Sequence, residues 1–237
     1  MSGCPVSQSG RVNRPLGAMA NHTHRLYDYA ASGNCYKVRL LIAQVGLEVE
    51  RVPVDIFAGE TLTPEFAAIN PARTVPVLEL PDGRHLPESG AILAYLARGT
   101  ELLPDDPFAQ AQVLRWLLFE QTALTPAIAG LRFRLLTGRL APGDARAKAR
   151  HAAGVVMLRL LDDHLRAQPF LVGDAYTIAD IALYGYTHVA HEAGLPTDRF
   201  AAVQAWLDRV AAQPGHINDV APYPANARAG AGTSIYG

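Results

Sequence analysis

The chain has 237 residues, which is enough for one large domain or two small ones. Hydrophobic residues make up 49% of it and charged residues 18%, so a sizeable core can form. The formal net charge of −1 gives no electrostatic reason to expect binding to nucleic acid or to an anionic membrane. No apolar run approaches the roughly 18 residues that a membrane-spanning helix needs. Two cysteines, Cys4 and Cys35, are too few for a disulfide framework, and we expect a reducing, cytoplasmic setting.

Both ends of the chain differ in composition from the rest. Residues 1–22 contain Gly, Ser, Asn, Arg and Pro without a helical or strand period, and we predict a flexible N-terminal tail. Residues 221–237 are rich in Ala, Gly and Pro, and we predict a C-terminal tail that is loose or draped on the surface.

Residues 23–99 carry the pattern β-α-β-α-β-β-α. Alternation of apolar and polar residues predicts strands at residues 25–29, 52–56, 75–80 and 84–86. Between the first two strands, the apolar positions 38, 41, 42 and 45 follow a helical spacing that Gly46 ends. Thr63-Pro64-Glu65 opens a short second helix, and Ser89 is the expected cap of a third. The Asp82-Gly83 turn joins the last two strands as an antiparallel hairpin, and the strands linked by helices should pair in parallel. The result is a mixed four-stranded sheet.

The second half of the chain has no good strand pattern. Helical periods run through residues 110–124, 130–137, 145–168, 178–192 and 200–213, which predicts an all-α bundle over residues 106–220. Residues 99–106, with Pro104, are the expected link. Thr177 and Asp180 form a capping box, so we interpret Asp180 as a residue for folding and not for catalysis.

Pro76 stands where the third strand should already be running. Proline cannot donate a ladder hydrogen bond, so it belongs at an edge, a strand start or a special turn. A cis bond at Val75-Pro76 would turn the backbone groups of Val75 outward, where they could bond an extended peptide. The run Asn-Pro-Ala-Arg-Thr-Val-Pro at residues 70–76, then a hairpin and Glu88-Ser89, resembles the glutathione-binding half of the glutathione transferase family.

The resemblance covers about residues 24–220 and implies a fold, a ligand and several contacts. The fold is a thioredoxin-like N-terminal domain followed by an all-α helical-bundle domain. Glutathione is a co-substrate and no cofactor is implied. Pro76 is cis, the backbone of Val75 pairs with the cysteinyl residue of glutathione, and Glu88 and Ser89 hold its γ-glutamyl end. A homodimer is typical of the family.

The thiol of glutathione must become a thiolate near neutral pH, and the turn before the first helix is where that activation is expected. The resemblance to serine-type members places Ser32 at the serine whose hydroxyl donates a hydrogen bond to the thiolate. The position of Ser32 is also typical of an ordinary helix N-cap. Cys35 is the rival, since cysteine-type relatives form a mixed disulfide with glutathione at this helix start. A buried, packing cysteine is its alternative. Asn34 is a third candidate because its amide can donate to a thiolate.

The remaining predicted contacts are less specific. Thr74 stands where many relatives place lysine or glutamine, so Arg73 or Lys37 is expected to reach the glycine end of glutathione. The second substrate should lie between the domains, against apolar walls for which Trp116, Phe119, Phe133 and Tyr223 are the candidates. Arg132 and Arg134 either bind an anionic co-substrate or are simply solvated, and Tyr27 and Tyr29 are expected to be packing residues. Only His188 and His191 have a spacing found in metal sites, and no carboxylate triad accompanies them, so no metal is expected.

The sequence therefore predicts a bacterial, serine-type glutathione transferase in which the thiolate attacks a hydrophobic electrophile or a disulfide. A glutathione-dependent disulfide reductase or peroxidase is the first alternative, and it depends on Cys35. A glutathione-binding protein without turnover is the second. Maleylacetoacetate isomerase is disfavoured because its Ser-Ser-Cys run is absent.

Overall fold

Four short strands form one mixed sheet in the order β2-β1-β3-β4. In the computed structural model, which describes residues 23–236, the strands are β1 (His24–Asp28), β2 (Val49–Pro53), β3 (Val77–Glu79) and β4 (His85–Pro87). β1 pairs in parallel with β2 and antiparallel with β3, and β3 pairs antiparallel with β4. The predicted mixed sheet is confirmed, and the tail predicted at residues 1–22 lies outside the described residues.

The second strand is shifted from its predicted position. The alternation predicted residues 52–56, but β2 ends at Pro53 because its partner β1 ends opposite it, at Asp28. Val54 and Ile56 are buried beyond the strand end, in an apolar cluster with Phe57. The alternation of apolar and polar residues at these positions therefore comes from a partly buried loop. From the sequence alone, this pattern cannot be distinguished from that of a strand.

Three helices pack on this sheet: α1 (Gly33–Val45), α2 (Pro64–Ile69) and α3 (Ser89–Leu96). Gly46 ends α1 with φ 64°, and Thr63 caps α2 by accepting the Phe66 N–H at 3.1 Å, both as predicted. The start of α3 differs from the prediction. Glu88, with φ 74°, occupies the cap position without a side-chain bond, and Ser89 is the first helical residue.

Residues 97–106 lead into the helical part of the chain. Its helices are α4 (Pro107–Phe119), α5 (Gly130–Leu136), α6 (Ala145–Leu165), α7 (Ile178–Thr187) and α8 (Ala201–Ala211). The predicted gap before residue 130 is instead a π-helix, Glu120–Ala129, that joins α4 to α5 without a break. The helix predicted over residues 178–192 ends at Thr187, and a short 3₁₀ turn follows at Ala190–Ala193. Within residues 23–236, no helix is long and apolar enough to cross a membrane.

The capping box at the start of α7 is formed as predicted. Thr177 Oγ1 accepts the Ala179 N–H at 3.3 Å, while Asp180 Oδ2 accepts the Thr177 N–H at 3.0 Å. Asp180 also reaches beyond its own helix. Its Oδ1 accepts the Leu171 N–H and the Trp206 indole N–H, each at 2.9 Å. The fully buried carboxylate therefore ties together α7, the preceding loop and α8.

The two domains pack closely where α1 meets α7. A Cβ on Gly33 would lie 2.5 Å from the ring of Tyr186, and one on Gly185 would lie 2.5 Å from Lys37 Cγ. Each glycine thus makes room for a large side chain of the other helix. The space beside Gly33 is occupied by the Tyr186 ring.

Residues 221–236, which we call the C-terminal segment, lie across both domains. The Asn226 amide donates to Asp55 Oδ2 at 2.8 Å, and the Thr233 N–H donates to the Phe57 carbonyl at 2.8 Å. On the other domain, the Ala229 N–H donates to the Thr137 carbonyl at 2.9 Å. This segment was expected to be loose or draped on the surface, and these bonds fix its path over the domain boundary.

Candidate functional site

The pairing of the strands brings three separate segments to one edge of the sheet. Tyr27 of β1 pairs with Val77, the first residue of β3, and Val77 pairs with Pro87, the last residue of β4. The turn after β1, the dipeptide Val75–Pro76 before β3 and the dipeptide Glu88–Ser89 after β4 therefore lie side by side. The Val75–Pro76 bond is cis, as predicted.

A cavity of about 210 Å³ opens at this edge, between the sheet domain, the helical domain and the C-terminal segment. Ser32, Asn34 and Val75 line it from the sheet domain. The remaining lining residues are Tyr29, Ile56, Thr125, Ala129, Gly130, Phe133, Arg134, Tyr186, Tyr223 and Tyr236. The walls are thus largely aromatic, and the polar side chains of the sheet domain are concentrated at the start of α1.

Ser32 is both the cap of α1 and a possible donor to the cavity. Its extended backbone (φ −82°, ψ 121°) positions Oγ to accept the Cys35 N–H at 3.3 Å. A hydroxyl that accepts through a lone pair keeps its own hydrogen. No group within residues 23–236 accepts that hydrogen, so it can be donated to a ligand in the cavity. The two predicted roles of Ser32 are therefore compatible.

Lys37 was predicted to reach the glycine end of glutathione, and that prediction is wrong. The side chain is fully buried between the domains, where Nζ donates to Glu120 Oε1 at 2.7 Å and to Asn34 Oδ1 at 2.8 Å. An ammonium group only donates, so Oδ1 of Asn34 must face it. The Asn34 amide nitrogen is therefore the group left for the cavity, and Lys37 positions it.

Cys35 was predicted either as a rival nucleophile or as a buried packing cysteine, and its position agrees with the second alternative. The thiol is fully buried beneath the cavity, among the apolar residues around Phe57, and Sγ accepts the Tyr29 N–H at 3.4 Å. Burial, with a smaller contribution from nearby Asp28, raises the pKa of the thiol to about 12. Neither access nor ionisation favours a mixed disulfide at this position.

Trp116 and Phe119 were predicted to line the second-substrate pocket, and this is also wrong. Trp116 lies in the core, where its indole N–H donates to the Leu171 carbonyl at 2.8 Å. Phe119 packs edge-on against it, with ring centroids 5.4 Å apart, and does not line the cavity. Helical spacing alone could not separate the core face of α4 from a pocket face.

The comparisons with known proteins agree with this geometry. Residues 31–98 match the family model for the N-terminal domain of glutathione S-transferase, and residues 131–214 match the model for its C-terminal domain. Glutathione S-transferase 3 of Zea mays is 34% identical over 84% of this chain and 94% of its own length. The chain belongs to the glutathione S-transferase family.

Two further relatives extend the comparison. A crystal structure of a glutathione S-transferase from Pseudomonas fluorescens is 43% identical, with a TM-score of 0.81, and the match covers 84% of this chain and 99% of that one. A maleylacetoacetate isomerase of Rhizobium meliloti is 35% identical over 70% of this chain and 80% of its own length. The predicted family and fold class, a thioredoxin-like domain followed by a helical domain, are confirmed.

The residues predicted for the two ends of glutathione flank the Val75–Pro76 segment or form the Glu88–Ser89 segment, and they do not themselves line the cavity. Ser89 is 3% exposed at the first turn of α3, beside the exposed Glu88. Arg73 Nη1 donates to the Leu62 carbonyl at 2.6 Å, and Thr74 Oγ1 accepts from the Asn70 amide at 3.1 Å. Neither Arg73 nor Thr74 lines the cavity, and their contact with glutathione stays a prediction.

Several cavity residues were not predicted from the sequence. Tyr29, expected to be a packing residue, lines the cavity, and its buried hydroxyl has no hydrogen-bond partner within residues 23–236. Tyr186 and Tyr236 were missed. Tyr236 carried a weak signal, as an aromatic residue in an Ala- and Gly-rich segment. Tyr186 carried none, because only the packing of α7 on α1 brings it to the cavity.

Two other sequence predictions concern charge and metals. Arg132 is buried and forms an ion pair with Glu192, so it is not available to an anionic co-substrate, whereas Arg134 lines the cavity. Within the described part of the chain, no group of three or more His, Cys, Asp or Glu residues is arranged to hold a metal ion.

Proposed function

We propose that this chain is a glutathione transferase in which Ser32 stabilises the glutathione thiolate for attack on a small electrophile. The observation that most directly supports this proposal is the hydrogen bonding of the Ser32 hydroxyl. Its oxygen already accepts a helix N–H, its hydrogen is uncommitted, and it lines the same cavity as Val75. Membership of the glutathione S-transferase family supports the choice of ligand.

The chemical requirement is a lower pKa for the thiol of bound glutathione. A free thiol has a pKa near 8.5, and lowering it by about two units requires about 2.7 kcal/mol at 1.36 kcal/mol per unit. Three groups favour the thiolate over the thiol: the Ser32 hydroxyl, the Asn34 amide that Lys37 orients, and the positive end of α1. The thiolate then attacks the electrophilic carbon and forms a C–S bond, while the displaced electron pair leaves with the leaving group or is protonated by solvent.

The rest of glutathione is proposed to bind along the sheet edge. The backbone of Val75 pairs with the cysteinyl residue, and Glu88 and Ser89 bind the γ-glutamyl ammonium and carboxylate. Ser89 begins α3, where free backbone N–H groups favour an anion. Arg73 and Thr74 lie next to Val75 in the chain and are the proposed contacts for the glycine end.

The decisive experiment is the pH profile of kcat/KM for Ser32→Ala, with Ser32→Thr as the matched variant that keeps a hydroxyl. We expect Ser32→Ala to lose about 10- to 100-fold in kcat/KM, because a hydrogen bond to a charged group is worth about 1.5–3 kcal/mol and each 1.4 kcal/mol is a factor of ten. The apparent pKa should rise by about one to two units.

Each alternative function predicts a different outcome. An unchanged profile in Ser32→Ala with a shifted one in Asn34→Ala would transfer the role to Asn34. Glutathione binding without reaction towards electrophiles, hydroperoxides or disulfides would favour a non-catalytic binding protein. Loss of turnover in Cys35→Ala with retained folding would revive the mixed-disulfide reductase, against which the burial of Cys35 argues.

We also propose that the chain forms a homodimer through α4. Phe108, Leu114 and Leu118 are 71%, 56% and 57% exposed on this helix, which is unusual for such large apolar side chains. Sedimentation should report a dimer for the wild type and a monomer for a Phe108→Glu/Leu118→Glu double variant. A wild-type monomer at micromolar concentration would contradict the proposal.

A further inference from the structure

We propose that the second substrate is a small aromatic electrophile carrying a carboxylate, and that Arg134 and Arg150 bind this carboxylate beside Gly130. The inference rests on the proposed transferase function and names the substrate class for the same cavity. It depends on three features: two convergent guanidinium groups, their lack of carboxylate partners, and the aromatic walls.

The two arginines approach Gly130, which lines the cavity, from different helices. Gly130 and Arg134 both line the cavity, whereas Arg150 of α6 lies behind Gly130, in a neighbouring surface depression that Arg146 also lines. A Cβ placed on Gly130 would lie 3.1 Å from Arg134 Nη1 and 3.4 Å from Arg150 Nη1. The absence of a side chain at Gly130 therefore leaves a position that both guanidinium groups can reach.

Both arginines keep most of their hydrogen-bonding capacity. Arg134 Nη1 donates to the Gly130 carbonyl at 2.9 Å, and Arg150 Nη1 donates to the Pro126 carbonyl at 2.8 Å. A guanidinium has five N–H donors in a fork that matches a carboxylate. These carbonyl bonds hold the groups in place and leave N–H donors for an anion.

The local charge is positive although the chain as a whole is not. Within residues 23–236, neither Arg134 nor Arg150 forms an ion pair, whereas neighbouring Arg146 pairs with Asp144. Burial, together with repulsion from Arg150, Arg139 and Arg146, lowers the pKa of the Arg134 guanidinium. A carboxylate bound between Arg134 and Arg150 would relieve that repulsion.

Glutathione itself is not the expected source of this carboxylate. The residues proposed for its two carboxylates, Ser89 at one end and Arg73 with Thr74 at the other, belong to the sheet domain. Arg134 and Arg150 lie on α5 and α6 of the helical domain. The anion site therefore falls on the side of the cavity left for the second substrate.

The walls and the size of the cavity specify the rest of that substrate. The Phe133 ring centroid lies 5.8 Å from that of Tyr223 and 5.3 Å from that of Tyr236, and Tyr29 stands 6.5 Å from Tyr223. Such a cluster favours a flat ring. The volume of about 210 Å³ is below the roughly 300–1,000 Å³ of common ligand pockets, which favours a single ring.

The test compares 4-carboxyphenyl isothiocyanate with its methyl ester, which has the same ring and no charge. In both reactions the thiolate sulfur bonds to the isothiocyanate carbon, the C=N electron pair moves to nitrogen, and nitrogen takes a proton from water to give a dithiocarbamate. Each kcat/KM is divided by the uncatalysed rate constant, so that the difference in intrinsic reactivity cancels. The ratio of the two corrected values, carboxylate over ester, is the readout.

We expect this ratio to exceed one in the wild type and to fall about tenfold in Arg134→Gln and in Arg150→Gln, as for loss of one charge-assisted hydrogen bond. Arg146→Gln is the matched control. It removes a nearby positive charge that is paired with Asp144 and does not approach Gly130, and the ratio should not change. An unchanged ratio in both Arg134→Gln and Arg150→Gln, or an equal loss with both substrates, would overturn the inference.

A binding experiment separates this inference from the proposed function. Calorimetry compares S-benzylglutathione with its para-carboxylate, and neither requires turnover. We expect the carboxylate to bind about tenfold more tightly, and Arg134→Gln to abolish the difference. Binding of both conjugates with equal affinity refutes the anion site and leaves the glutathione site standing. Binding of neither refutes the proposed function and this inference with it.

Discussion

Removing the Asp180 carboxylate should destabilise the protein strongly without touching the cavity. The fully buried side chain accepts three N–H bonds, from Leu171 and Thr177 of the backbone and from the Trp206 indole, at 2.9 to 3.0 Å. Asp180→Ala leaves all three donors buried without a partner. Asp180→Asn keeps one acceptor oxygen for Leu171 and Trp206 but turns an amide donor towards the Thr177 N–H.

The magnitude follows from these bonds. A buried donor without a partner costs about 1–3 kcal/mol, so three of them cost at least about 3 kcal/mol. Relief from holding a buried charge offsets part of the upper range, since burial, opposed by the accepted hydrogen bonds, raises the pKa of Asp180 to about 6. We expect Asp180→Ala to lose about 3–5 kcal/mol of unfolding free energy, which lowers Tm by on the order of 10 °C in a chain of this size. Asp180→Asn should lose about half as much.

Urea and thermal unfolding at pH 8, where Asp180 is ionised in the folded state, measure the effect. Asp174→Ala is the matched control, because this exposed carboxylate lies six residues away in the same region. It should shift the unfolding free energy by less than about 0.5 kcal/mol. A loss below about 1 kcal/mol in Asp180→Ala would show that the three donors find other partners, and the reasoning would be refuted.

Three further results are expected. Lys37→Met should lower the unfolding free energy by about 3–5 kcal/mol because it leaves a buried charge on Glu120. The double variant Lys37→Met/Glu120→Leu should recover most of that loss. Equal losses of unfolding free energy in the two variants would contradict the buried ion pair. In a Cys4→Ser background, a thiol reagent should not label Cys35 until urea unfolds the chain, because the Cys35 thiol is fully buried. Rapid labelling in buffer without urea would contradict this burial. Burial lowers the pKa of His188 to about 4, below the unfolded value near 6.5. The unfolded state therefore takes up a proton first as pH falls through this window, and stability falls by up to about 3 kcal/mol between pH 6.5 and 4. His188→Phe should remove that part of the acid dependence in urea titrations, and an unchanged slope would refute it.

The sequence was most informative where local chemistry decides the backbone. The Gly46 stop, the Thr63 cap and the Thr177–Asp180 box are each formed by residues within a few positions of one another, and all three were predicted. The cis bond at Val75–Pro76 was predicted from the resemblance of its surroundings. Such features need no knowledge of what packs against them.

The site was predicted in outline from the resemblance to glutathione transferases, and the pairing order of the strands explains why its segments meet. Given a mixed sheet with β1 beside β3 and β3 beside β4, the turn at Ser32, the Val75–Pro76 dipeptide and the Glu88–Ser89 dipeptide must share an edge. The resemblance to glutathione transferases pointed to Ser32, Asn34 and Val75, and these three residues line the cavity.

The sequence could not determine which side chains near Ser32 face the cavity and which face the core. Cys35 and Lys37 lie within about one and a half helical turns of Ser32, yet both side chains point inward, and only the packing of α7 and the π-helix on α1 decides this. The same packing brings Tyr186 to the cavity, and the path of the C-terminal segment brings Tyr223 and Tyr236. Sequence patterns encode local geometry and periodic burial, whereas a cavity between domains is formed by surfaces far apart in the chain, and only the tertiary structure brings these together.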